Sequence, residues 1–188
     1  MNPKIETLPM EESVSRAKEH GVIPQIAELN VFRTLLRHPK LAKVVNDLLL
    51  MLLFDGNKLD ARLRELLIMR IGWHTNCDYE WTQHWHIALK YGLTAEELEA
   101  VKDWRSADCF SDADQAVLAA TDETLENGKI SDATWAACEA TLKEPEIIME
   151  LNIAIGAWRL ISQFARSSNL ELEEGVGSWP PNGQSPDA

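Results

Sequence analysis

Glu65-Leu-Leu-Ile-Met-Arg-Ile-Gly-Trp-His-Thr-Asn-Cys77-Asp-Tyr-Glu80-Trp-Thr-Gln-His84 holds a carboxylate, a thiol, a second carboxylate and an imidazole within twenty residues. The apolar residues before Gly72 predict a helix over Ala61–Trp73, with Asp60 as its cap. Thr75-Asn76 supplies the next cap, and a second helix runs from Asp78 to about Tyr91, stopped by Gly92. Cys77, Glu80 and His84 follow at spacings of three and four, so they share one helix face. Glu65 can approach that face from the preceding helix.

The rest of the chain also reads as helix. Ile26, Leu29, Phe32 and Leu36 keep the 3.6-residue period over Gln25–Arg37. His38-Pro39 ends it, and a further helix spans Pro39 to Leu53. Thr94-Ala-Glu-Glu97 is a capping box that opens a short helix to Trp104. Ser111 and Ser131 start two more, and Glu144-Pro145 opens the last, to about Ser167. No strand pattern with turn chemistry stands out. The expected class is all-α, a single-domain bundle of about eight helices over residues 25–175. Residues 1–24 are expected as an arm with a turn or two of helix, and 176–188, rich in Gly and Pro, as a flexible tail.

The 188 residues suffice for one sizeable core. A net charge of −12 argues against nucleic acid and against anionic membrane surfaces, since both require a basic footprint. No apolar run is long enough to span a bilayer, and no signal peptide is visible. The three cysteines, Cys77, Cys109 and Cys138, form neither a disulfide framework nor a zinc pattern. A cytoplasmic protein with reduced thiols is expected.

Each candidate residue has an ordinary reading beside the functional one. Cys77 near a helix N-terminus gains thiolate character from the dipole, whereas Asp78 and Glu80 work against it. The commoner fate of a lone cysteine is inert burial. Glu80 and His84 suit a general acid–base pair, or a surface helix pair of little consequence. Glu65 lies amid Leu66, Leu67, Ile68 and Met69, so it must reach water or find a partner. Within its own helix, Arg62 and Arg70 are the cations in reach. His84 and His86 point about 200° apart on a helix and cannot chelate together. The HExxH pattern, a phosphate-binding glycine loop and a GxSxG elbow are all absent. No metal and no organic cofactor are expected.

These motifs resemble the carboxymuconolactone decarboxylase family, which includes the alkyl hydroperoxide reductase D-type (AhpD-like) peroxidases. The resemblance is strongest over Leu59–Tyr91 and looser from Phe32 to Gly175. It implies an all-helical fold, a small-molecule substrate and a homo-oligomer. In the peroxidase branch a glutamate precedes a CxxC by twelve residues, and a histidine follows the second cysteine by four. Glu65, Cys77 and His84 match the glutamate, first cysteine and histidine. The second, peroxide-attacking cysteine falls on Glu80, so Cys77 lacks its dithiol partner. The decarboxylase branch opens a γ-lactone and loses carbon dioxide without a metal. By that analogy Glu80 and His84 would move protons, Glu65 would support them, and Arg64 or Arg159 would hold a substrate carboxylate.

Three functions follow: an acid–base enzyme of the decarboxylase type acting on a small organic acid, a thiol-dependent peroxidase using Cys77, and a helical oligomer that binds a small ligand without chemistry. The seven tryptophans suit an aromatic pocket and suit core packing equally well.

Overall fold

The computed structural model describes residues 2–186; Met1 of the arm and Asp187 and Ala188 of the tail lie outside them. Among the described residues there are nine α-helices and no strand. They are α1 (Met10–His20), α2 (Asn30–Leu35), α3 (Pro39–Leu53), α4 (Ala61–His74), α5 (Asp78–Lys90), α6 (Ala95–Ala100), α7 (Asp112–Asn127), α8 (Asp132–Leu142) and α9 (Pro145–Ser168). Short 3₁₀ turns occupy Ile26–Glu28 and Val101–Ser106. The span expected as a single domain clusters into two compact units. One takes the residues up to Asn57 with Phe164–Val176, the other Lys58–Gln163 with the residues from Gly177 on.

In the first unit the single helix expected over Gln25–Arg37 is broken. Leu29 is extended (φ −72°, ψ 139°), between the 3₁₀ turn and α2. The backbone N–H of Asn30 donates to Glu173 Oε1 at 2.8 Å, and its side-chain amide donates to the Glu171 carbonyl at 3.1 Å. Those distant acceptors replace the helical hydrogen bonds that periodicity alone implied. The arm is also more regular than expected. Three turns of α1 bury Ala17 and Ser13, whose hydroxyl donates to the Ala27 carbonyl at 2.7 Å, and Gly21 ends the helix at φ 70°.

In the second unit α4 is the central helix. Every residue from Arg64 to Gly72 is buried. A helix apolar on every side must be enclosed, and α4 packs against α5 and α7, with α8 beyond α7. Its charged residues are therefore paired. Arg62 joins Asp114 at 2.5 Å and also reaches Glu97, while Arg70 joins Asp122 at 2.6 Å. The caps read from sequence are present at Asp60, Ser131 and the two capping boxes Thr94/Glu97 and Ser111/Asp114. Gln115 has its own carbonyl acceptor at Phe110, which anchors the start of α7.

Two details set the angle between α4 and α5. Asn76 does not cap α5 as expected. It takes the left-handed position after α4 (φ 52°), with its N–H bonded to the Trp73 carbonyl and the Cys77 N–H bonded to the Gly72 carbonyl at 2.8 Å. This pair of bonds is a Schellman closure. Cys77 itself is then the N-cap of α5, without a side-chain capping bond. At Gly72, a Cβ would stand 3.0 Å from the Trp81 backbone nitrogen and 3.2 Å from its Cα. Overpacking costs about 1–3 kcal/mol, against about 1 kcal/mol regained in helix propensity. Gly72→Ala is therefore expected to lower the urea midpoint; an unchanged or raised midpoint would contradict this close approach.

The segment expected as a flexible tail packs where it is described. Trp179 is buried, its N–H donates to Asp78 Oδ1 at 3.0 Å, and the Trp81 indole donates to the Pro180 carbonyl at 2.8 Å. Trp179 lies edge-on to Trp73, at a centroid distance of 6.0 Å. Gly and Pro suggested disorder, but one large apolar side chain outweighs them. Among the described residues no helix is long and apolar enough to cross a membrane.

Candidate active site

Glu65 on α4 is fully buried and faces α5. Its Oε2 lies 2.7 Å from His84 Nδ1. Its Oε1 lies beside the guanidinium of Arg64, 3.3 Å from a terminal nitrogen and 3.4 Å from Nε. Arg64 is itself buried and passes over the Tyr91 ring at 5.3 Å. The cations expected to pair with Glu65, Arg62 and Arg70, turn instead to α6, α7 and Asp122. Adjacent side chains on a helix usually diverge; here the long Arg64 side chain turns back.

Glu80, on the first turn of α5, is buried, with Oε2 3.8 Å from His84 Nε2. The imidazole thus stands between two carboxylates, one on each ring nitrogen. Trp158 of α9 completes the surround. Its indole N–H donates to His84 Nε2 at 3.4 Å, with the two rings nearly perpendicular at 84°. Nothing in the sequence marked Trp158 for this site, since an apolar run on a long helix gives no sign of which residue reaches another helix.

Burial shifts the balance of charge. Desolvation pushes the Glu80 carboxyl up to about 7; the His84 charge opposes this and the Glu65 charge adds to it. For His84 desolvation lowers the pKa, but the charge and hydrogen bond of Glu65, with Glu80 behind them, outweigh it and leave the pKa raised. The two groups therefore titrate as a pair near neutrality.

A folded pKa above the ordinary carboxylate value means that the native state holds the Glu80 proton after the unfolded chain has released it. Stability tied to this group is complete at low pH and falls as pH rises from the ordinary range through about 7. Glu80→Gln is expected to be more stable than the parent at about pH 8, by on the order of 2 kcal/mol, and equal to it at about pH 4. Urea unfolding at the two pH values checks this; a constant gap would contradict it.

Cys77 is brought to the same helix face, buried at 1% exposure. No disulfide joins the three cysteines. Cys109 is exposed, and burial pushes the Cys138 thiol on α8 up to about 11. Arg159 is exposed and donates to the Thr124 carbonyl, so it is not beside His84. His86 is exposed on the opposite side of α5, and His74 pairs with Glu126 at 3.6 Å. Among the described residues no group of three or more His, Cys, Asp or Glu is arranged to hold a metal ion. A surface cavity of about 520 Å³ lies apart from this cluster. It is lined by Trp104 with residues of α7 and α8, mostly alanine and threonine. Asp112 is its one titratable lining group, so the chemistry resides at Glu65, Glu80 and His84.

Residues 39–123, which contain all four sequence candidates, match the model of the carboxymuconolactone decarboxylase family. No curated protein matches the chain in sequence. Among solved structures the chain is similar to an uncharacterised peroxidase-related protein from Silicibacter sp. TM1040, with a TM-score of 0.74 at 13% identity, covering 94% of this chain and 96% of that one. It is also similar to an alkylhydroperoxidase AhpD core, an uncharacterised peroxidase-related protein from Ralstonia eutropha JMP134, with a TM-score of 0.70 at 16% identity over 89% and 87% of the two chains. A cysteine-to-alanine variant of the debrominase Bmp8, in complex with 2,3,4-tribromopyrrole, gives a TM-score of 0.71 at 16% identity over 93% and 94%. At these identities the likeness speaks for the fold. Over residues 39–123 the chain carries a region of the carboxymuconolactone decarboxylase family, and its all-helical fold is AhpD-like.

Proposed function

We propose that this protein is a decarboxylase-like acid–base enzyme acting on a small organic acid, with Glu80 and His84 moving the proton and Glu65 holding His84. The observation that carries this reading is the imidazole set between two buried carboxylates, with Glu80 titrating near neutrality. Efficient proton transfer needs a pKa near the working pH. Loss of carbon dioxide leaves the electron pair of the broken C–C bond on the substrate, delocalised into a neighbouring carbonyl. The Glu80 carboxylic acid supplies the proton to that carbon, and His84 Nε2 returns a solvent proton to Glu80. Arg64 offsets the Glu65 charge, so that two buried carboxylates do not face one imidazole uncompensated.

The test is carbon dioxide release and ring opening across lactone-carboxylates and β-keto acids, in the absence of thiols. Turnover of one of these classes supports the reading. Silence across both, together with peroxide consumption driven by a dithiol, would overturn it.

Thiol chemistry at Cys77 is the second reading. It is favoured by the place of Cys77 at the N-cap of α5, three residues from Glu80, and by the fold shared with proteins described as peroxidase-related. Against it stand the burial of Cys77, the glutamate at the second thiol position, and the raised pKa of Cys138.

A further inference from the structure

We propose that Trp158 is a positioning residue: its indole N–H, donated to His84 Nε2, keeps the imidazole proton on Nδ1 and leaves Nε2 as the acceptor beside Glu80. An indole nitrogen only donates, so the imidazole nitrogen it faces must accept. The other ring nitrogen meets a carboxylate, Glu65 Oε2 at 2.7 Å, which only accepts when ionised. The two contacts therefore specify the same tautomer from opposite sides of the ring. Trp158 is 2% exposed, so water does not readily replace the indole.

The groups facing His84 pull in different directions. Glu65 from α4 favours the imidazolium, Arg64 beside it opposes that charge, and Glu80 from α5 competes for the Nε2 proton. Trp158 from α9 acts on the same atom as Glu80. When Nε2 is unprotonated, the indole N–H is satisfied and the shared proton rests on Glu80. When the proton moves to Nε2, two N–H groups face each other at 3.4 Å. Trp158 thus biases the proton toward Glu80 and keeps it a carboxylic acid, ready to donate. Its relevance to catalysis rests on the acid–base reading above; its effect on the imidazole does not.

The experiment is ¹⁵N NMR of the histidine ring nitrogens in the parent protein and in Trp158→Phe, with His84 assigned by its loss in His84→Gln. The parent is expected to show the Nδ1–H tautomer. Trp158→Phe is expected to gain Nε2 protonation and to raise the His84 pKa by about 0.5–1 unit, the equivalent of one neutral hydrogen bond. In case the smaller ring fails to pack, 3-benzothienylalanine at position 158 keeps the indole shape and replaces N–H by sulfur; it is expected to give the same shift. An unchanged tautomer and pKa in the benzothienyl protein would overturn the proposal. No turnover enters this readout, so it separates from failure of the proposed function: an NMR shift with a fully active His84→Ala would refute only the enzyme reading.

Discussion

Replacing His84 with alanine is expected to lower kcat/KM by about 10²–10⁴-fold, the usual contribution of a positioned acid–base group. The imidazole is the only group that contacts both carboxylates, so its removal parts Glu80 from its route to solvent protons. The fold should survive, because His84 is partly exposed and Glu65 retains Arg64. Some loss of stability follows from the unpartnered Glu65 oxygen, of about 1–3 kcal/mol. In the parent, kcat/KM should be greatest near neutrality and fall on both sides, with limbs that belong to the Glu80–His84 pair rather than to either residue. Steady-state kinetics over pH check both statements. A His84→Ala protein with parental kcat/KM would contradict the role of the imidazole.

Asp122→Ala is expected to destabilise the fold by about 3–5 kcal/mol, the range for removing one partner of a buried ion pair. Asp122 is fully buried on α7 and accepts four hydrogen bonds: two from Arg70, one from the Trp104 indole and one from Arg105. Desolvation raises its pKa, but the hydrogen bonds and charges of these partners outweigh it and hold the carboxyl below its ordinary value. A depressed folded pKa gives stability that is present above the ordinary carboxylate range and lost as pH falls through the folded value. The gap between parent and Asp122→Ala should therefore narrow in acid. Arg70 also donates to the carbonyls of Val101 and Lys102, so this carboxylate fixes the 3₁₀ turn against α4. Urea unfolding at neutral and acid pH is the measurement; a loss below about 1 kcal/mol would mean that Arg70 and Trp104 find other partners.

Much of the fold was legible because its signals are local. The Asp60, Thr94, Ser111 and Ser131 caps need only their own next few residues, and all four are present. What was not legible depends on distant partners. Leu29 breaks a periodic helix because Glu173 and Glu171 hold Asn30. Asn76 closes α4 rather than opening α5, and both duties suit an asparagine in the same place. Spacing alone put Cys77, Glu80 and His84 on one face and pointed Glu65 toward them. Trp158 and the turning back of Arg64 could not be read from spacing, since each depends on how helices far apart in sequence come together.

The most direct measurement is kcat/KM of Cys77→Ser and Glu80→Gln, taken side by side with the parent on one turned-over substrate. Cys77→Ser is expected to keep most of the activity, and Glu80→Gln, which removes the titrating proton with little change of shape, to lose about 10²-fold or more. The reverse pattern, an inactive Cys77→Ser beside an active Glu80→Gln, would contradict acid–base chemistry at this site and make the thiol the reacting group.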